Sequence, residues 1–425
     1  MVIQKTNPTI WGYSQQVNDE VHIKINGKEV GHSNVQLSST QEHTGIWQVN
    51  FPAPSEGHGP YTITAQSSNG SLTLHDVWFG DVWVCSGQSN MEYAIYGANS
   101  MSSFSAVCWL FGKYMSKHLN YPIGLVETNW GGTQIEAWSS PDALAACPTV
   151  IGKSNQIFPS SLWNGMVNPL LRNSIYGAIW YQGESNSNHY QQYACQFPTM
   201  IEDWRKKFNT ASNHATNQDF PFGFVQLSAW RNQTISLGFP GIRWAQTANM
   251  GQVPNAQMKN VFMAVGMDLP DFSSPYGSIH PRYKHTIAER LVLSGYAVAY
   301  GHNNINYHGP FPSSFNHLQN NQIQIEYDNN ANPIEVRTTN GFDVCCARHG
   351  HVCADNDHGW KETKIVSNDT THIYLDGSVC NQNGLTSIGG VRYAWRESPC
   401  PFKKCAIYGL DNGLPGPPFI HSSAV

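Results

Sequence analysis

Four short stretches of this chain carry residue types able to move an acyl group. Cys85-Ser-Gly-Gln-Ser-Asn-Met91 offers the Ser89 hydroxyl behind a glycine turn at Gly87, with Gln88 and Asn90 on either side. Asn129-Trp-Gly-Gly-Thr133 offers a glycine pair, Gly131 and Gly132, whose backbone N–H groups can aim into a site. Gln182-Gly-Glu-Ser-Asn186 offers a side-chain amide, Gln182, and a carboxylate, Glu184. Gly277-Ser-Ile-His-Pro-Arg282 offers the imidazole of His280. A nucleophile, oxyanion donors and a base are the parts that acyl transfer requires. Alone, each stretch is weak. A Gly-x-Ser is usually a turn, a glycine pair is usually a loop, and 18 histidines compete for the role of base. The nucleophile elbow of α/β-hydrolases is excluded, because it needs glycine two residues after the serine and Met91 stands there.

Location is what joins the four. Between residues 77 and 300 apolar strand-like runs alternate with helical patterns. The runs are Val77–Cys85, Ile123–Glu127, Ile175–Tyr181, Phe222–Leu227 and Val261–Val265; the helical stretches are Ser105–Leu119, Tyr190–Phe208 and Lys284–Tyr300. That alternation predicts a parallel sheet covered on both faces. Ligands of such sheets bind beyond the carboxyl ends of the strands, and three of the four stretches directly follow predicted strands. Residues 1–76 read as a small β-sandwich, with Asn26-Gly27 marking a tight hairpin. Residues 301–425 lose the helical pattern and read as a cysteine-rich β region.

Composition narrows the function further. With 24 basic and 29 acidic residues the net charge is −5, which argues against nucleic acid as a partner. No apolar run approaches the ~20 residues of a membrane helix, so no membrane span is expected. Ten cysteines, six of them between Cys345 and Cys405, point to an oxidising compartment. The sequons at Asn69, Asn232 and Asn368 point the same way. The opening MVIQKTNPTIWGYS lacks a signal peptide's basic start and apolar core, so a leader removed or lying upstream is expected. A rival reading places zinc on Cys345, Cys346, His349, His351, Cys353 and His358, although the spacing fits no usual ligand pair.

The runs DVWVCSGQSNM, YPIGLVETNWGGTQIEAWSS, WYQGESN and SIHPRYKHTIAERL, in this order, resemble the SGNH hydrolase superfamily and within it the sialate O-acetylesterase family. The tail runs RYAWRESPCPFKKC and LPGPPF resemble its animal-type members, so the likeness spans nearly the whole chain. It implies a three-layer α/β/α catalytic domain with a parallel sheet, flanked by N-terminal and C-terminal β regions. It implies a serine esterase that releases acetate from O-acetylated sialic acids, chiefly at the 9-position, with no cofactor or metal, in a lysosomal or secreted protein. Ser89 resembles the nucleophile and His280 the base. The N–H groups of Ser89, Gly131 and Gly132 and the Gln182 amide resemble the oxyanion hole. Gln88, Asn90, Trp130, Glu184 and Trp180 are the expected substrate contacts, with Glu184 read equally as an orienting group. Two departures stand out. Gly277 occupies the position where many superfamily members carry an aspartate, leaving either a Ser–His dyad oriented by a backbone carbonyl or a carboxylate such as Asp271 or Asp268. The stretch between Ala98 and the Ser105 helix is also short, which predicts a strand and helix missing from the sheet. The alternatives are an acetylesterase for other glycans and an inactive sugar-binding homologue.

Overall fold

The computed structural model describes residues 1–38, 44–94, 104–147, 158–232, 237–302, 304–318, 321–327, 333–348, 351–380 and 387–422. Its centre is a set of five parallel strands: β1 (Gly70–Gly87), β2 (Ile123–Asn129), β3 (Gly177–Tyr181), β4 (Phe222–Gln226) and β5 (Val261–Val265). Every residue of β3, β4 and β5 is buried. Strands covered on both faces must be apolar throughout, which is why these segments read as unbroken hydrophobic runs. The spatial order is β2-β1-β3-β4-β5. Chain connections leave β1 in opposite directions, so the loops after β1 and β3 diverge and open a crevice at the carboxyl edge.

Two helical layers cover the sheet. Helices α1 (Ala106–Leu119) and α4 (Lys284–Val298) pack together on one face, where Trp83 of β1 meets Phe111 of α1 and Phe262 of β5. Helices α2 (Tyr190–Ala211) and α3 (Phe239–Ala245) take the other, where Trp180 of β3 meets Phe197 and Trp204 of α2. Helix α1 starts where the Ser105 hydroxyl accepts from the Cys108 N–H at 3.1 Å, a side-chain cap on an otherwise unpaired donor. It stops at Asn120, whose left-handed φ of 57° turns the chain into β2. The expectation of a missing strand and helix falls on the stretch after Ala98. The short segment itself, 95–103, lies outside the described residues.

Strand β1 is 18 residues long. Its first part pairs antiparallel with Tyr61–Ser67, and its last part carries β2 and β3 on either side. The N-terminal strands form an antiparallel hairpin sheet and a three-stranded sheet around a second core of Val21, Ile23, Trp47, Val49, Ile63 and Phe79. The hairpin turns at Asn26 and Gly27, with φ of 47° and 81°, the signs a type I′ turn requires. Among the described residues the chain after α4 forms antiparallel β, in two four-stranded sheets and one two-stranded sheet.

Five disulfides use all ten cysteines. Cys85–Cys108 ties the end of β1 to α1, and Cys147–Cys195 ties the chain to α2. The tail pairs within itself: Cys345–Cys353, Cys346–Cys380 and Cys400–Cys405. This overturns the zinc reading, because a sulfur already bonded to sulfur supplies no thiolate; His349 lies outside the described residues. The sequon asparagines Asn69, Asn232 and Asn368 are exposed. Among the described residues no helix is long and apolar enough to cross a membrane.

Candidate active site

Ser89 leaves the end of β1 on a turn that only glycine permits. Gly87 has φ of 141°, and a Cβ there would sit 2.2 Å from the Tyr181 carbonyl oxygen of β3. The chain then enters the short helical turn Ser89–Glu92, with Ser89 first. Gly131, after β2, packs against it: a Cβ there would lie 3.4 Å from the Ser89 Cβ. Among the described residues no acceptor takes the N–H of Ser89, Gly131 or Gly132, and all three residues line one cleft.

His280 arrives from the loop before α4, 191 positions further along the chain. Its Nε2 lies 2.8 Å from Ser89 Oγ, and its Nδ1 lies 2.8 Å from the Tyr276 carbonyl oxygen. A carbonyl only accepts, so Nδ1 must carry the proton. Nε2 is then left with its lone pair toward the serine hydroxyl, the tautomer a general base needs. The loop is built for this contact. Gly277 has φ of 84° and donates its N–H to Ser274. The fold-back turns the Tyr276 carbonyl under the imidazole, and an aspartate would be strained at that φ. The His280 backbone is fixed by its N–H to Gly277 O (2.9 Å) and by the Ser274 hydroxyl donating to its carbonyl (2.7 Å).

Both carboxylates considered as a third member are engaged elsewhere. Asp271 accepts from Arg282 Nε (2.7 Å), Nη2 (2.8 Å) and N–H (3.0 Å), which holds its carboxyl below the usual range. Asp268 is buried against Arg290 at 2.6 and 2.9 Å and accepts from Tyr408.

Three expected site residues are corrected. Gln182 is fully buried, and its amide nitrogen donates to Thr133 O (3.1 Å) and Asn186 Oδ1 (2.7 Å). Both N–H groups are therefore spent, and the Tyr193 hydroxyl takes its oxygen; it builds the floor and has no donor left for an oxyanion. Trp180 is fully buried among Trp138, Phe197 and Trp204 and touches no open space. Asn90 is buried. It donates to Glu184 Oε1 (2.7 Å) and to the Ile279 carbonyl (2.9 Å), and it accepts from Lys284 Nζ. It clamps the residue before the imidazole and is not among the residues that line the cleft.

Gln88, Ser89, Gly131, Gly132, Glu184 and His280 do line one open cleft of about 820 Å³. Glu184 Oε2 has no partner among the described residues, and burial raises its carboxyl's pKa above the ordinary value despite the Asn90 hydrogen bond. Burial also pushes the Lys284 ammonium down to about 7, opposed by the nearby carboxylates of Glu184 and Asp271. Trp130, beside the glycine pair, is 54% exposed. The cleft has a second wall that the sequence reading missed: Trp230 and Arg231 after β4, with Glu397 from the C-terminal region. The run RESPC around Glu397 was visible as a likeness of the tail, but nothing in it announced a contact with residue 231.

A family model described as carbohydrate esterase, sialic acid-specific acetylesterase, matches residues 94–274. A second, the sialate O-acetylesterase C-terminal domain, matches residues 313–423. The fold is also that of a solved carbohydrate acetylesterase from Xanthomonas citri, with a TM-score of 0.78, 24% identity, and coverage of 99% of this chain and 97% of that one. Fold and family models together define the class: a carboxylic ester hydrolase of the carbohydrate esterases. Among curated proteins, the sialate O-acetylesterase of Mus musculus is 35% identical over 512 aligned positions, covering 99% of this chain and 92% of that protein. The Homo sapiens protein of the same name is 36% identical over 495, covering 99% and 90%. The chain belongs to the sialate O-acetylesterase family. Its 425 residues fall short of those aligned lengths, so these relatives carry insertions that it lacks.

Proposed function

We propose that this chain hydrolyses O-acetyl esters of sialic acids, with the 9-O-acetyl group favoured, by attack of Ser89 on the acetyl carbonyl. His280 Nε2 takes the serine proton as the Oγ–C bond forms. The negative charge on the carbonyl oxygen falls to the N–H groups of Ser89, Gly131 and Gly132. One donor of this kind lowers the barrier by about 3–4 kcal/mol. His280 then gives the proton to the departing sugar oxygen, and water, activated by the same imidazole, releases acetate. Gln88, Glu184 and Trp130 contact the sugar. The exposed Trp130 ring offers an apolar face beside the oxyanion donors, and Glu184 lines the same cleft.

The observation that carries this reading is the 2.8 Å contact between Ser89 Oγ and His280 Nε2, with Nδ1 fixed on a carbonyl. Five disulfides, the exposed sequon asparagines and the family support a lysosomal or secreted protein. The substrate class is tested by acetate release from 9-O- and 4-O-acetylated sialic acids, acetylated xylose and an aryl acetate. Turnover greatest on the 9-O-acetyl sialic acid is expected. Turnover of acetylated xylose above both sialic acids would overturn the reading.

A further inference from the structure

Among the described residues Arg231 is the one arginine that lines the cleft of Ser89, and its setting is unusual for a surface cation. Its Nε donates to Glu397 Oε1 at 2.9 Å, its Nη2 to Glu397 Oε2 at 2.7 Å, and its own backbone N–H to Oε1 at 3.0 Å. The Ser398 hydroxyl donates to its carbonyl at 2.7 Å, and the guanidinium lies 4.0 Å over the Trp230 ring. The Glu397 carboxylate is 2% exposed, while the Arg231 side chain is 42% exposed. One edge of the fork is thus locked against Glu397, while Nη1 has no acceptor among the described residues on a side chain that lines the cleft.

A second guanidinium backs this pair. Behind Glu397 lies Arg243, fully buried, donating to the carbonyls of Leu227 (2.7 Å), Ser228 (2.9 Å), Arg396 (2.8 Å) and Glu397 (2.8 Å). Of these three charged groups, Arg243 and Glu397 are buried and only the Arg231 side chain is exposed. A guanidinium edge held in place by a buried carboxylate is preorganised, so little rotamer freedom is lost when an anion docks.

We propose that Arg231 is the carboxylate subsite of this cleft. Its Nη1 edge takes the carboxylate of an acetylated sugar acid, and Glu397 acts as its positioning residue, so that the enzyme selects acidic over neutral acetylated sugars. The proposal rests on the sialate ester reading and deepens it. The esterase chemistry at Ser89 needs no charge on the substrate, so selection of the acid is a separate property of this wall.

The test compares 9-O-acetylated sialic acid with the same sugar whose carboxylate is converted to the carboxamide. Acetate release by the wild type should favour the acid by about 10- to 100-fold in kcat/KM, mostly through KM, the range expected for one charge-assisted contact. The double variant Arg231→Gln with Glu397→Gln avoids stranding a buried carboxylate and should bring that ratio to about one. Arg231→Lys keeps the charge without the fork and should fall between. Equal turnover of acid and carboxamide by the wild type overturns the subsite while leaving the esterase reading intact. So does a double variant that keeps the wild-type ratio. Release from neither sugar, with an aryl acetate still hydrolysed, overturns the sialate reading and the subsite with it.

Discussion

Replacement of Asp271 by asparagine separates two accounts of how the imidazole is oriented. In serine hydrolases whose base leans on an aspartate, the asparagine variant loses about 10⁴-fold in kcat because the wrong tautomer is held. In this chain the imidazole leans on the Tyr276 carbonyl at 2.8 Å, and Asp271 is occupied by Arg282. Asp271→Asn keeps one oxygen for the Arg282 N–H and weakens the charged contacts to a guanidinium that is itself 48% exposed. The cost falls on the loop and is about 1–2 kcal/mol of stability, the scale of one or two hydrogen bonds. The base keeps its tautomer, so kcat per folded molecule should fall by less than about tenfold. The assay is kcat on an aryl acetate, with folded fraction measured by urea unfolding. A loss near 10⁴-fold in a folded variant would refute the carbonyl-oriented dyad and reinstate a carboxylate.

Three further outcomes follow from the same geometry. Gly87→Ala places a methyl group 2.2 Å from the Tyr181 carbonyl at a φ of 141°; kcat on an aryl acetate should drop more than about 100-fold, since a shift of about 1 Å in the nucleophile costs that much, and near-wild-type activity would contradict the turn argument. Cys108→Ser with Cys85→Ala opens a link of 23 residues between β1 and α1 and should cost about 3 kcal/mol in urea unfolding, whereas an unchanged midpoint would contradict it. Burial holds the Lys284 pKa near about 7, against 10.5 for the free side chain. Between these values the unfolded chain binds a proton that the folded chain releases, so this residue makes stability rise with pH from about 7 to about 10.5, with the full penalty present below. Lys284→Met should lose that rise, on the order of 4 kcal/mol across the window, in unfolding measured at several pH values. An equal slope in both proteins would show that the lysine is not the cause.

The sequence announced the frame because the frame is local. Parallel strands buried on both faces are short apolar runs, and the helix between Ser105 and Leu119 is written in its apolar spacing and its capping serine. Ser89 and His280 were legible as a pair for a topological reason: both lie at the ends of elements whose direction the fold fixes. What failed was the direction of single side chains. Residues 180 and 182 share one face of the chain leaving β3, and that face looks into α2. Trp180 therefore packs on Phe197 and Trp204, and Gln182 meets Tyr193. Asn90 sits beside Ser89 in sequence, yet its amide turns inward to Glu184 and Ile279. Arg231 and Glu397 escaped because their pairing spans 166 positions and belongs to the docking of the C-terminal region. No local pattern encodes that contact.

Acetate release by Ser89→Ala, beside the wild type and His280→Ala, tests the central claim most directly. Single removal of either group in a serine–histidine pair costs about 10⁶-fold in kcat, and removing both costs little more. The account predicts that pattern on both an aryl acetate and 9-O-acetylated sialic acid, with the variants folded. A folded Ser89→Ala protein that releases acetate at the wild-type rate would contradict it.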